Sequence, residues 1–169
     1  APVLVNAAGA WADVVARLAG VRPVGLVPKR RTAMILPSPH RIDNSSWPEL
    51  DDVENEFYLK PEAGKFLASP ADETPMEPCD VQPDDIDVAI AVDRIEQATT
   101  LKVSRVERRW AGLRSFVADR NPVAGFDREA EGFFWLAGQG GVEPPHSIVR
   151  GARDDFRNCR TAPWRVPAS

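Results

Sequence analysis

The run Arg109-Trp-Ala-Gly-Leu-Arg114-Ser-Phe-Val-Ala-Asp119, followed by Gly132-Phe-Phe-Trp-Leu-Ala-Gly-Gln-Gly-Gly141, constrains this chain more than any other segment. The first part reads as a buried strand that delivers an arginine. The second reads as a strand running straight into a glycine-rich turn. Equally constraining, no Gly-x-Gly-x-x-Gly stands upstream, so the sequence lacks the loop that would cradle a dinucleotide pyrophosphate.

Around these strands the sequence predicts an α+β layer arrangement, an antiparallel or mixed sheet with one long helix across it. Val3-Leu-Val5 has strand character, Asn6-Ala-Ala-Gly9 is a small-residue turn, and Trp11 to Ala19 reads as a helix ended by Gly20. So apolar a strand belongs inside a sheet, with neighbours supplied from further along, from another chain or from a part outside this sequence. Val24 to Leu36 reads as a long extended stretch carrying the basic cluster Lys29-Arg30-Arg31, and Glu56–Lys60 and Lys65–Ala68 read as a hairpin turning at Gly64. Residues 69–85, rich in proline and acid, read as a solvated connection. It closes on a helix from about Asp84 to Thr100, with Val88, Val92, Ile95 and Thr99 on its apolar face. Leu101 to Phe116 reads as one long strand, Val123-Ala-Gly-Phe126 follows a turn at Asp119–Pro122, and Gly132 to Ala137 is one more strand.

Several function classes fall away on composition. With 169 residues and 43% hydrophobic content, the chain can bury one ordinary core. Its net charge of −4 carries no basic block, which argues against nucleic-acid binding. Cys79, Cys159, His40 and His146 make no metal-type spacing, so no metal is expected and the thiols read as reduced, in a cytoplasmic protein. The first residues do not form a signal peptide, and no apolar run approaches membrane-spanning length.

Asn6-Ala-Ala-Gly-Ala-Trp11, Phe57-Tyr-Leu-Lys-Pro61, Asp80-Val-Gln-Pro83, Glu96-Gln-Ala-Thr-Thr-Leu101, Trp110-Ala-Gly-Leu-Arg114 and Phe134-Trp-Leu-Ala-Gly-Gln-Gly-Gly141, in this order, resemble the D-amino-acid oxidase superfamily of FAD-dependent oxidoreductases. Within it they look like the D-arginine dehydrogenase type. The resemblance covers about residues 2–141 and corresponds to the C-terminal half of such an enzyme. It implies hydride transfer from the α-carbon of a D-amino acid to flavin, which needs a firmly held substrate carboxylate and a dry pocket.

Carried over residue by residue, the resemblance gives Arg114, Arg31 and Tyr58 to the substrate carboxylate and the Gly141 carbonyl to the substrate amino group. Gly138, Gln139 and Gly140 are given to a close backbone approach to the flavin, and Ala7, Ala8 and Gly9 to a turn that packs on the cofactor. On residue chemistry alone a bland reading stands beside each. Arg114 reads as a strand-end ion pair, Arg31 as an exposed base like Arg30, Tyr58 as a core tyrosine, and the glycine and alanine segments as plain turns. Alternation along an extended strand sends Arg30 to the side opposite Arg31.

The likeness implies a strand–turn–helix remnant of an FAD-binding domain over 1–22, a substrate-binding domain over 23–126, and a return strand with its flavin-facing turn over 127–141. A divergent tail, or a frameshifted one, fills 142–169. Glu49 and Asp51 replace apolar residues of the nearest look-alikes, either as solvated groups or as a preference for a cationic substrate side chain. Two functions remain open: the substrate-domain portion of an FAD-dependent D-amino-acid dehydrogenase, or a non-catalytic remnant or interaction domain without FAD. Because the pyrophosphate loop is missing, the chain alone is expected to be colourless. The apolar strand at Val3–Val5 would suit a homodimer or a complementing FAD-domain chain.

Overall fold

The computed structural model describes residues 2–39 and 43–140. Two units are distinguished, one built from Ala1–Pro28 with Arg114–Ser169 and one from Lys29–Leu113.

In the first unit, strand β1 (Leu4–Asn6) ends on a buried asparagine. The Asn6 amide donates to the Ala12 carbonyl at 2.8 Å and its Oδ1 accepts from the Ala8 N–H at 3.4 Å, which folds the chain into a 3₁₀ turn (Gly9–Trp11) and helix α1 (Ala12–Leu18). The helix stops at Gly20, whose φ of 72° no β-carbon opposes; Gly20 N–H donates to Arg17 and Val21 N–H to Ala16, the paired bonds that satisfy a helix's last carbonyls. Buried Asp13 then anchors the following segment, accepting the N–H groups of Val24, Gly25 and Leu26 at 3.1, 3.0 and 2.8 Å.

Strand β9 (Phe133–Ala137) is the centre of this unit's sheet, parallel to β1 and antiparallel to β8 (Val123–Phe126). Flanked on both sides, it is almost continuously apolar, and Phe133, Trp135 and Ala137 join Ala12, Ala16, Val21 and Leu26 in one core. The neighbour of the first strand therefore comes from further along the chain. Asp127 pins the β8–β9 connection: its carboxylate accepts the Glu129 and Ala130 N–H groups and the Trp135 indole N–H, each at 2.9 Å.

The second unit is a sheet in the order β3-β4-β5-β2-β6, with β7 paired to β2. Its strands are β2 (Val27–Leu36), β3 (Leu50–Asp51), β4 (Tyr58–Glu62), β5 (Lys65–Ser69), β6 (Thr74–Pro75) and β7 (Arg108–Phe116). Met34, Ala68 and Leu59 lie side by side on neighbouring strands and form a core with Val88, Ala91 and Ile95 of helix α2 (Asp85–Ala98). That helix begins where the acids predict, since the Asp84 carboxylate caps the Ile86 N–H at 2.9 Å.

Two expectations change. Residues 101–107 are not strand: Leu101, Val103 and Val106 all pack on the core, the last out of step with a period of two, and the backbone donors of Leu101 and Val103 go to Thr99 Oγ1 and Glu96 Oε1 instead of a ladder. Nor is 69–85 wholly solvated, because β6 pairs with Lys29 and Arg30 and the Asp72 side chain is only 7% exposed.

Candidate functional site

Register in the first unit brings two of the predicted segments to one place. Asn6 lies opposite Trp135 in a parallel pair, so Ala7-Ala8-Gly9 and Gly138-Gln139-Gly140 leave the carboxyl ends of adjacent strands on the same edge. This is the edge at which open parallel sheets receive ligands. Gly9, Gly138 and Gly140 have φ of 56°, 69° and 58°. A β-carbon at Gly9 would meet nothing within 4 Å, whereas one at Gly140 would stand 2.7 Å from the Phe116 ring.

Arg114 joins this group through the backbone. The Gly140 N–H donates to the Ser115 carbonyl at 2.9 Å, which ties the glycine turn to the residue after Arg114 on β7. Arg114 itself is half-buried. Beneath Gly138 runs the turn from Asp119 to Val123, and the backbone N–H of Asn121 holds the Asp119 carboxyl below the usual carboxylate range. Gly141 lies outside the described residues.

In the second unit, Arg31 and Tyr58 share a sheet face. Leu59, Ala68 and Met34 point to the helix-covered core, so Tyr58 on β4 and Arg31 on β2, at odd offsets from them, project from the other side. Both are half-buried. Asp51 is the cross-strand partner of Tyr58, and both it and Glu49 are exposed.

Arg30 and Arg31 diverge as alternation predicts, but neither is a solvated surface charge: each side chain is 13% exposed. Arg30 reaches the start of α2, donating to Asp87 at 2.7 Å and lying 3.6 Å from Asp84, and bonds Asp72 at 3.3 Å. Arg31 donates from Nε to the Asp72 carbonyl at 3.0 Å and pairs with Glu73 at 3.3 Å. Sequence reading assigned Asp72 and Glu73 no role. The available signal was charge complementarity, an acidic pair in one loop matching the basic triplet Lys29–Arg31 in one strand. Among the described residues no group of His, Cys, Asp or Glu could hold a metal ion, and no helix is long and apolar enough to cross a membrane.

Known structures share this architecture. The chain is similar to L-proline dehydrogenase from P. horikoshii, with a TM-score of 0.77 at 21% identity over 94% of this chain and 43% of that one. It is similar to glycine oxidase from Geobacillus kaustophilus, with a TM-score of 0.74 at 22% identity over 96% of this chain and 43% of that one. A third likeness is to dithionite-reduced L-α-glycerophosphate oxidase from Mycoplasma pneumoniae with FAD bound, with a TM-score of 0.68 at 16% identity over 97% of this chain and 44% of that one. These likenesses establish the fold, and the chain spans less than half the length of each. Residues 1–142 also match the family model of the FAD dependent oxidoreductases, DAO, and with so much of the sequence matched, the chain belongs to that family.

Proposed function

We propose that this chain provides the substrate-binding and flavin-facing parts of a cytoplasmic FAD-dependent enzyme that oxidises D-amino acids to imino acids, of the D-arginine dehydrogenase type. The observation that carries this reading is the shared exit of Ala7–Gly9 and Gly138–Gly140 from parallel strands, with Gly140 bonded to the residue next to Arg114. Residues 1–22 and 127–141 are assigned to the cofactor side and 23–126 to the substrate side.

The residues present fit a flat ring. On that edge Ala7 and Gly9 are exposed, and among the described residues nothing stands within 4 Å of where a side chain of residue 9 would begin. When bound, FAD supplies the acceptor for a hydride from the substrate α-carbon, and the released imino acid is hydrolysed to a 2-oxo acid and ammonia. Arg114 offers the substrate carboxylate a planar fork of donors, a geometry that lysine cannot reproduce. Arg31 and Tyr58 carry the same assignment from their common sheet face, and the Gly141 carbonyl is assigned to the amino group. Fixing carboxylate and amine together fixes the direction of the α C–H bond, which is this chain's contribution to the chemistry.

Anaerobic titration of the chain loaded with FAD together with a complementing FAD-domain chain tests the reading. D-arginine should bleach the oxidised flavin band while L-arginine does not, and Arg114→Lys should raise the half-saturating concentration roughly 10- to 100-fold. Bleaching by glycine or L-proline in preference to D-arginine would overturn the substrate assignment.

A further inference from the structure

We infer that Asp72 and Glu73 are positioning residues for Arg31, holding its guanidinium in place before a substrate carboxylate arrives. The inference rests on the carboxylate-binding role given to Arg31 above. An arginine on a strand carries a long, rotamer-rich side chain, and ordering it at the moment of binding weakens affinity. Here the ordering is done by the protein. Arg31 Nε donates to the Asp72 carbonyl at 3.0 Å, and Nη2 lies 3.3 Å from Glu73 Oε1.

The loop that supplies these acceptors is itself fixed to the same strand. The Asp72 carboxylate accepts the Thr32 N–H at 2.6 Å, the Thr32 hydroxyl at 3.1 Å and Arg30 Nε at 3.3 Å, and Thr32 is fully buried. One aspartate thus presents its side chain to Arg30 and Thr32 and its carbonyl to Arg31, between them. Glu73 is shared with Lys29, whose Nζ lies 2.9 Å away, so the same carboxylate ties two neighbouring side chains of the strand to this loop. Asp84 and Asp87 are engaged by Arg30 instead.

The test compares Glu73→Ala with Glu73→Gln, which keeps an oxygen acceptor but not the charge. In the FAD-loaded enzyme formed with a complementing FAD-domain chain, E73A should raise the KM for D-arginine about tenfold with kcat within about twofold, and E73Q should recover most of the loss. A second readout, on the chain itself, is the NMR signal of the Arg31 Nε–H, whose exchange with water should quicken in E73A and stay slow in E73Q. If E73A does not fold, Glu73→Asp replaces it, with the same expected loss because the shorter side chain no longer reaches. The inference is overturned if E73A leaves both KM and Arg31 exchange unchanged, or if E73A and E73Q lower KM together, which would make Glu73 a competitor of the substrate. Failure of the underlying reading looks different: D-arginine would then leave the Arg31 Nε–H signal of the unaltered chain unmoved, whatever Glu73 does.

Discussion

Gly140 and Gly9 share a left-handed backbone but not a reason for being glycine. At Gly9 the obstacle to a side chain is the φ of 56°, since no atom of the described residues lies within 4 Å of the β-carbon position. At Gly140 a β-carbon would also lie 2.7 and 2.9 Å from Phe116 Cε1 and Cδ1, and that ring is itself covered by the Arg120 guanidinium 4.4 Å from its centre. Gly9→Ala should therefore cost roughly 1–2 kcal/mol, the left-handed penalty alone. Gly140→Ala should cost roughly 2–4 kcal/mol, because overpacking adds to it. Urea unfolding of the two variants checks the difference, and equal losses would show that Phe116 yields freely. In Gly140→Ala, Phe116→Leu should recover part of the loss by removing the ring. Such positions mark what sequence could and could not reveal about the site. The Gly-Gln-Gly-Gly string is visible as a turn, but which glycine is held by its own packing depends on Phe116, far away in sequence.

The β8–β9 connection shows how one side chain can set an element's response to acid. Burial pushes the Asp127 carboxyl up, but the Trp135 indole N–H and the Glu129 and Ala130 backbone N–H groups outweigh it and hold it below the usual carboxylate range. A carboxyl depressed in the folded state contributes stability that is present above its unfolded pKa and lost as pH falls through the folded pKa. The unaltered chain should thus lose stability on the acid side partly through Asp127. Asp127→Asn should be less stable by roughly 1–3 kcal/mol near neutral pH, since charge-assisted hydrogen bonds become neutral ones, and its acid-side slope should be shallower. Urea melts followed by tryptophan fluorescence across that range would show it, and parallel curves for the two proteins would exclude Asp127 as the titrating group. At this scale, legibility follows the range of the signals. Helix α2 was readable to within a residue or two because its cap and its 3.6-residue period are local. Strands β3 and β6 were not, because two residues carry no period and their existence depends on partners in β4 and β2. The pairing of β1 with β9, which brings Ala7–Gly9 beside Gly138–Gly140, joins opposite ends of the described chain and left no local trace.

At the scale of the whole molecule, the edges of the two units fall inside strands β2 and β7, where composition changes too little to mark them. What separates the units is the membership of their cores. Every buried residue clustered around Met34, Phe66 and Ile95 comes from the continuous stretch 29–113, and every one clustered around Trp135 comes from outside it. The second unit therefore contains its own sheet, its own helix and its own core in one uninterrupted segment, which is what autonomous folding requires. The first unit does not, since β1 and α1 must meet β8 and β9 across the whole of the other. A fragment of residues 29–113 should accordingly unfold cooperatively and give a dispersed amide NMR spectrum. Ile95→Ala within it, at a site with no exposure, should cost roughly 2–5 kcal/mol and leave it largely unfolded. A fragment of residues 114–140 should instead give an undispersed spectrum, because the β8–β9 hairpin without β1 and α1 is a two-stranded ribbon with most of its core missing. An undispersed spectrum from residues 29–113, or a cooperative melt from residues 114–140, would mean that the two cores do not act as separate folding units.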